Sequence, residues 1–149
     1  MHDRGMPASC SFCEIVAHSR AAAVVLEDAG SLAFLDHRPL FPGHCLLIPK
    51  AHIETLGGLQ PGDIGPLFTN AQRLSGAMEQ GLGADGAFVA INNRVSQSVP
   101  HLHVHVVPRR RKDGLKGFFW PRGKYAGEEE IEEVRSAIAR ALGSQPALR

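Results

Sequence analysis

The hydrophobic and polar positions of this chain change period several times along its length, and the changes mark its elements. Around residues 101–107 the pattern is strict alternation. His101, His103 and His105 take one parity; Leu102, Val104 and Val106 take the other. Side chains of a strand alternate between faces, so this segment predicts three imidazoles on one face and aliphatics on the other. Residues 22–26, 31–35, 44–48, 87–92 and 102–108 read as the strands. Glu27-Asp28-Ala29-Gly30 supplies a turn, and residues 36–43, with two prolines and a glycine, read as a loop.

Helical spacing appears in three places. Residues 11–18 predict a short helix. Between 61 and 80, Ile64, Leu67, Phe68, Ala71, Leu74 and Met78 recur every three or four positions. Pro61 suits the first turn of that helix, and Gly81 or Gly83 its end. Over about 128–142, Ile131, Val134, Ile138 and Leu142 form a stripe predicted to be buried, behind the acidic start Glu128–Glu130. Strands, then a helix, then more strands predict an α+β fold: an antiparallel sheet of about five strands, a long helix and an extra C-terminal helix. The expected organisation is one domain over 9–127, a helix over 128–143 packed on it, and flexible termini at 1–8 and 144–149.

Composition narrows the function. The 149 residues are 44% hydrophobic and 21% charged, which suits one soluble globular domain. A net charge of +1 argues against nucleic-acid binding through bulk charge. No apolar run approaches a membrane span, and residues 1–8 lack a hydrophobic signal core, so a cytoplasmic location without a membrane partner is expected. Three cysteines, two of them in Cys10-x-x-Cys13, do not resemble a secreted disulfide framework. One segment departs from neutrality: residues 109–124 carry seven cations against Asp113, a net +6. That run is either a solvated loop or an attractor of polyanionic substrate. Phe118, Phe119 and Trp120 lie inside it.

The histidine strand is the leading chemical candidate. A neutral imidazole is a competent nucleophile toward phosphorus when its other nitrogen is fixed, and flanking histidines can orient phosphate oxygens. Asn92, Gln97 and Ser98 precede it and can donate to an anion. Cys10 and Cys13 have the spacing of a tetrahedral Zn²⁺ half-site, with His52 and His101 as candidate partners and two free thiols as the alternative. A third possibility is that the three same-face imidazoles hold a metal themselves. Cys45, inside an apolar strand, reads as a small buried hydrophobe.

The motif His101-Leu-His103-Val-His105-Val-Val resembles the signature of the histidine triad (HIT) superfamily of nucleotide hydrolases and transferases. Ser9–Val16, Leu32–Asp36 and Pro42–Ile53 are similar to the same family, so the resemblance covers about residues 9–108. It implies a HIT-like fold and attack on the α-phosphate of a nucleoside 5′-phosphate derivative, a phosphoramidate or a dinucleoside polyphosphate. His103 is implied as nucleophile. His105, His101 and Ser98 are implied with it as the catalytic group, with Gln97 beside them at the phosphate. The resemblance further implies Asp36 on the ribose, Phe34, His37 and Leu46 around the base, Asn92 on ribose or phosphate, and His44 behind the triad. Cys10, Cys13, His52 and His101 are implied to hold structural zinc. The implied partners are a purine nucleotide and a second copy of the chain, with Trp120 near that copy's site. A nucleotide sensor or adaptor with negligible turnover is the alternative. Val95-Ser96-Gln97 departs from the family's usual Ala-Gly-Gln or Gly-Gly-Gln.

Overall fold

The structure, a computed structural model, describes residues 9–116 and 121–145. It divides into two compact units, residues 1–113 and 114–149. The first begins with helix α1 (Ser11–Val16), followed by strands β1 (Val24–Glu27), β2 (Ser31–Leu35) and β3 (Cys45–Pro49). A single 3₁₀ turn leads into α2 (Pro61–Leu82), and β4 (Gly86–Ala90) and β5 (Val104–Arg109) complete the unit. The five strands form one sheet in the order β1-β2-β3-β5-β4, with every pairing antiparallel. This is the expected α+β architecture, an antiparallel sheet of five strands with a long helix.

The period-two pattern fixes which side chains reach each face. Ala33, Cys45, Leu47, Val104 and Val106 pack with Leu67, Ala71, Leu74 and Met78 of α2. The intervening positions Leu32, Phe34, Leu46 and Ile48 pack with Cys10, Phe12, Cys13 and Ile15 around α1. β2 and β3 are therefore buried on both sides, and their near-continuous apolar runs follow from that. Cys45 is buried as expected, and burial pushes its thiol up.

Helix α2 starts at Pro61, as its spacing predicts, and ends on Gly83. That glycine adopts the left-handed conformation (φ 67°) and donates its N–H to Glu79 O, while Ala84 N–H reaches Met78 O. Ile64 departs from its predicted place in the stripe: it lies a turn before the contact with the sheet and is 41% exposed. Buried Asn70 takes a core position instead, donating to Asp28 Oδ2 and Ser31 Oγ, both at 2.7 Å.

The basic run begins as structural work. Arg109 pairs with Asp113 at 2.6 Å, and Arg110 donates to Gly83 O and Leu82 O at the end of α2. In the second unit, α3 (Glu128–Gly143) carries the predicted stripe. Ile131, Val134, Ile138 and Leu142 are exposed rather than buried, because no other element among the described residues of that unit faces them. No helix among the described residues is long and apolar enough to cross a membrane.

Candidate active site and metal cluster

The site grows from the segment leading into β5. Strand pairing starts only at Val104, so His101 and His103 precede the ladder that was expected to include them. The extended backbone is tied down by His101 N–H to Val99 O (2.8 Å) and Leu102 N–H to Ile53 O (2.6 Å). Leu102, Val104 and Val106 are wholly buried on the α2 side. Their burial drives the three histidines to the opposite side, which is the physical content of the alternation.

There the histidines separate. His101 turns toward α1. Its Nε2–H donates to Pro49 O at 2.8 Å, which leaves Nδ1 as a lone pair. That Nδ1 lies 3.5 Å from Cys10 Sγ, 3.6 Å from Cys13 Sγ and 3.2 Å from His52 Nδ1; Cys13 Sγ and His52 Nδ1 are 3.2 Å apart. A tetrahedron with ordinary Zn–N and Zn–S bonds has edges of about 3.3–3.8 Å. The donor set is soft, two sulfurs and two imidazoles, and all four ligand atoms lie within 4.8 Å of one another. The residues fit a structural zinc ion. Burial, and after it the neighbouring Cys10 thiol, pushes Cys13 up to about 11, so a cation is what makes a thiolate pair favourable there.

His103 is buried and donates Nδ1–H to the carbonyl of His101 at 2.7 Å. Its Nε2 is therefore the lone-pair nitrogen. His105 is set the opposite way. Leu40 N–H donates to His44 Nδ1 (3.1 Å), which puts the ring proton of His44 on Nε2; that N–H donates to His105 Nδ1 at 2.9 Å. His105 thus carries its proton on Nε2. Asp36 Oδ2 lies 3.7 Å from His44 Nε2, yet His44 stays neutral because its Nδ1 is already an acceptor and burial lowers its pKa. Burial first, then His103 and His44, holds His105 down to about 4. His103 and His105 stand with ring centroids 5.0 Å apart, one presenting an acceptor and the other a donor.

Both rings line a cleft of about 600 Å³, within the range of small-molecule sites. Phe34, Asp36, His37, Leu46 and Ser98 line it as well. Asn92 and Gln97 do not: Asn92 is exposed, and the Gln97 amide folds back to Glu54 O and Arg94 N–H at 2.7 Å each. Phe12 and Ile15 also wall the cleft and were missed from the sequence, although an aromatic between two candidate ligands was the available signal. Among the described residues, His103 belongs to neither group with metal-ligand geometry, which disfavours a three-histidine metal site. Trp120 lies outside the described residues.

Residues 18–112 match the family model of the HIT domain. An uncharacterised HIT-like protein of Mycobacterium tuberculosis is 38% identical over 93% of this chain and 96% of its own length. An adenylylsulfatase of Arabidopsis thaliana is 30% identical over 92% of this chain and 71% of its own. An adenosine 5′-monophosphoramidase of Schizosaccharomyces pombe is 33% identical over 87% of this chain and 98% of its own. A HIT-family structure from Bacillus subtilis superposes with a TM-score of 0.81 at 30% identity, covering 94% of this chain and 99% of that one. A zinc-bound histidine triad protein from Mycobacterium smegmatis superposes at 0.69 with 37% identity, covering 92% and 98%.

Proposed function

The chain belongs to the HIT domain family, and from that premise we propose that it hydrolyses nucleoside 5′-phosphate derivatives through a nucleotidyl-histidine intermediate. The observation that carries this reading is the opposed protonation of two neighbouring rings, an acceptor at His103 Nε2 and a donor at His105 Nε2. His103 Nε2 attacks the α-phosphorus, and the bond to the leaving group breaks with its electron pair going to that group, which leaves as the neutral amine by taking a proton from solvent when the bond is P–N. The positive charge left on the His103 ring is met by the His101 carbonyl at Nδ1. His105 Nε2–H and the Ser98 hydroxyl bind the phosphoryl oxygens and stabilise their developing charge. Water then attacks phosphorus, the P–Nε2 pair returns to His103, and the proton that water sheds passes to solvent. The product is a nucleoside monophosphate.

Phe12, Phe34, Leu46 and His37 take the base, and Asp36 the ribose hydroxyls. The hydrolase names of the relatives from Arabidopsis and Schizosaccharomyces support a substrate with a leaving group on an adenylyl phosphorus. Zinc held by Cys10, Cys13, His52 and His101 supplies a structural clamp, because four protein ligands leave no open position for substrate. Gln97 and Asn92 act at the phosphate side only after the loop moves, since neither lines the cleft in this conformation. A homodimer in the cytoplasm, with Trp120 near the partner's site, completes the proposal. The test is to assay adenosine 5′-phosphoramidate and diadenosine tetraphosphate side by side. Release of AMP from at least one is expected; release from neither contradicts the hydrolase reading.

A further inference from the structure

Two residues join the metal cluster to the cleft: His101, a member of the cluster, and Phe12, a wall of the cleft. His101 places its Nδ1 in the cluster, while its carbonyl oxygen accepts the Nδ1–H of His103 at 2.7 Å. Phe12 sits between Cys10 and Cys13 in the sequence, and its ring stands edge-on to three others. The centroids lie 5.2 Å from His103 (88°), 5.4 Å from Phe34 (70°) and 5.9 Å from His101 (70°). Helix α1, which carries Phe12, has six residues, too few to be stable alone. Its N-cap is the Cys10 sulfur, accepting Cys13 N–H at 3.3 Å. What holds the Phe12 wall in place is therefore the tethering of the two cysteines together with packing against the sheet. His52, the fourth cluster residue, is exposed, so the cluster is open to solvent exchange on one side.

We propose that Phe12 and His101 are positioning residues that couple the Cys10–Cys13–His52–His101 cluster to the nucleotide cleft, so that a divalent metal and a purine nucleotide strengthen each other's binding. The inference rests on the nucleotide reading of the cleft. Coupling between two bound species is reciprocal: the factor by which the metal raises nucleotide affinity equals the factor by which the nucleotide raises metal affinity.

The test uses the full chain, zinc-loaded and chelator-stripped, with AMP as the probe and circular dichroism to follow the fold. Stripping is expected to weaken AMP binding about tenfold, and AMP to tighten zinc binding by the same factor against a chromophoric chelator. In Phe12→Leu the factor is expected to fall below about threefold, while one zinc per chain is retained. Equal AMP affinity with and without zinc overturns the proposal. So does a factor unchanged in Phe12→Leu, because coupling through global unfolding survives that substitution whereas coupling through the ring does not. If AMP fails to bind even the zinc-loaded chain, the nucleotide reading is what falls. The coupling is then decided by the ¹⁵N shifts of His103 on stripping: a change supports it, and identical shifts overturn it.

Discussion

On the α2 side of the sheet, Leu47, Val104 and Val106 meet Leu67, Leu74 and Met78, and the titratable member of that apolar cluster is Cys45, whose thiol burial pushes up. One residue along the same strands, on the α1 side, Phe34 and Leu46 stand beside His103 and His105, two cysteines and the buried His101. The first side is held by apolar area, which is indifferent to pH and to protonation state. The second is held partly by hydrogen bonds whose direction depends on where single protons sit. A strand that alternates can thus build a core with one parity and a reactive surface with the other. The stability of the first lets the second hold two imidazoles whose ring protons sit on opposite nitrogens.

The comparison can be broken most severely on the reactive side. His103→Ala is expected to lower turnover of a nucleoside phosphoramidate by about 10⁴-fold or more, as loss of a nucleophile does, with little change in the unfolding midpoint; kinetics and thermal melting check both. The converse change lies on the α2 side. Leu47 is wholly buried, and Leu47→Ala is expected to cost about 2–5 kcal/mol in denaturant unfolding while the cleft residues stay in place.

The pH dependence of stability belongs to the α1 side. His105 titrates at about 4 in the folded chain and near 6.5 when unfolded. Between those values the unfolded chain binds more protons, so stability falls as pH drops from about 6.5 to about 4. His105→Gln is expected to flatten that fall in urea unfolding measured across the window; an unchanged slope counts against the neutral His105. The smallest effect is expected in the loop before the histidines. Ser96 adopts the left-handed conformation (φ 61°) where glycine is favoured, and Ser96→Gly is expected to raise stability by at most about 1 kcal/mol, read as a small rise in melting temperature.

The face assignments of β2, β3 and the histidine segment were legible because apolar burial enforces period two. The cluster was legible as far as its residue types: Cys10-x-x-Cys13 named half of it, His52 and His101 were candidates for the rest, and the family resemblance chose them. What was not legible depends on contacts between distant segments. Asn70 reads as one polar residue of a helix, and only Asp28 and Ser31 explain its burial. Gln97 reads as an anion donor, but its amide is satisfied by Glu54 O. Phe12 reads as a core aromatic, and its place beside His103 comes from α1 folding back across the sheet. The α3 stripe has the right period, yet a period does not say what will cover it.

The central claim is that His103 becomes bonded to phosphorus between two displacements. The stereochemical course at a chiral α-phosphorus tests this most directly, using an adenosine 5′-phosphorothioate derivative hydrolysed in isotopically labelled water. Two in-line displacements predict overall retention of configuration. Net inversion, the outcome of a single direct attack by water, contradicts the account.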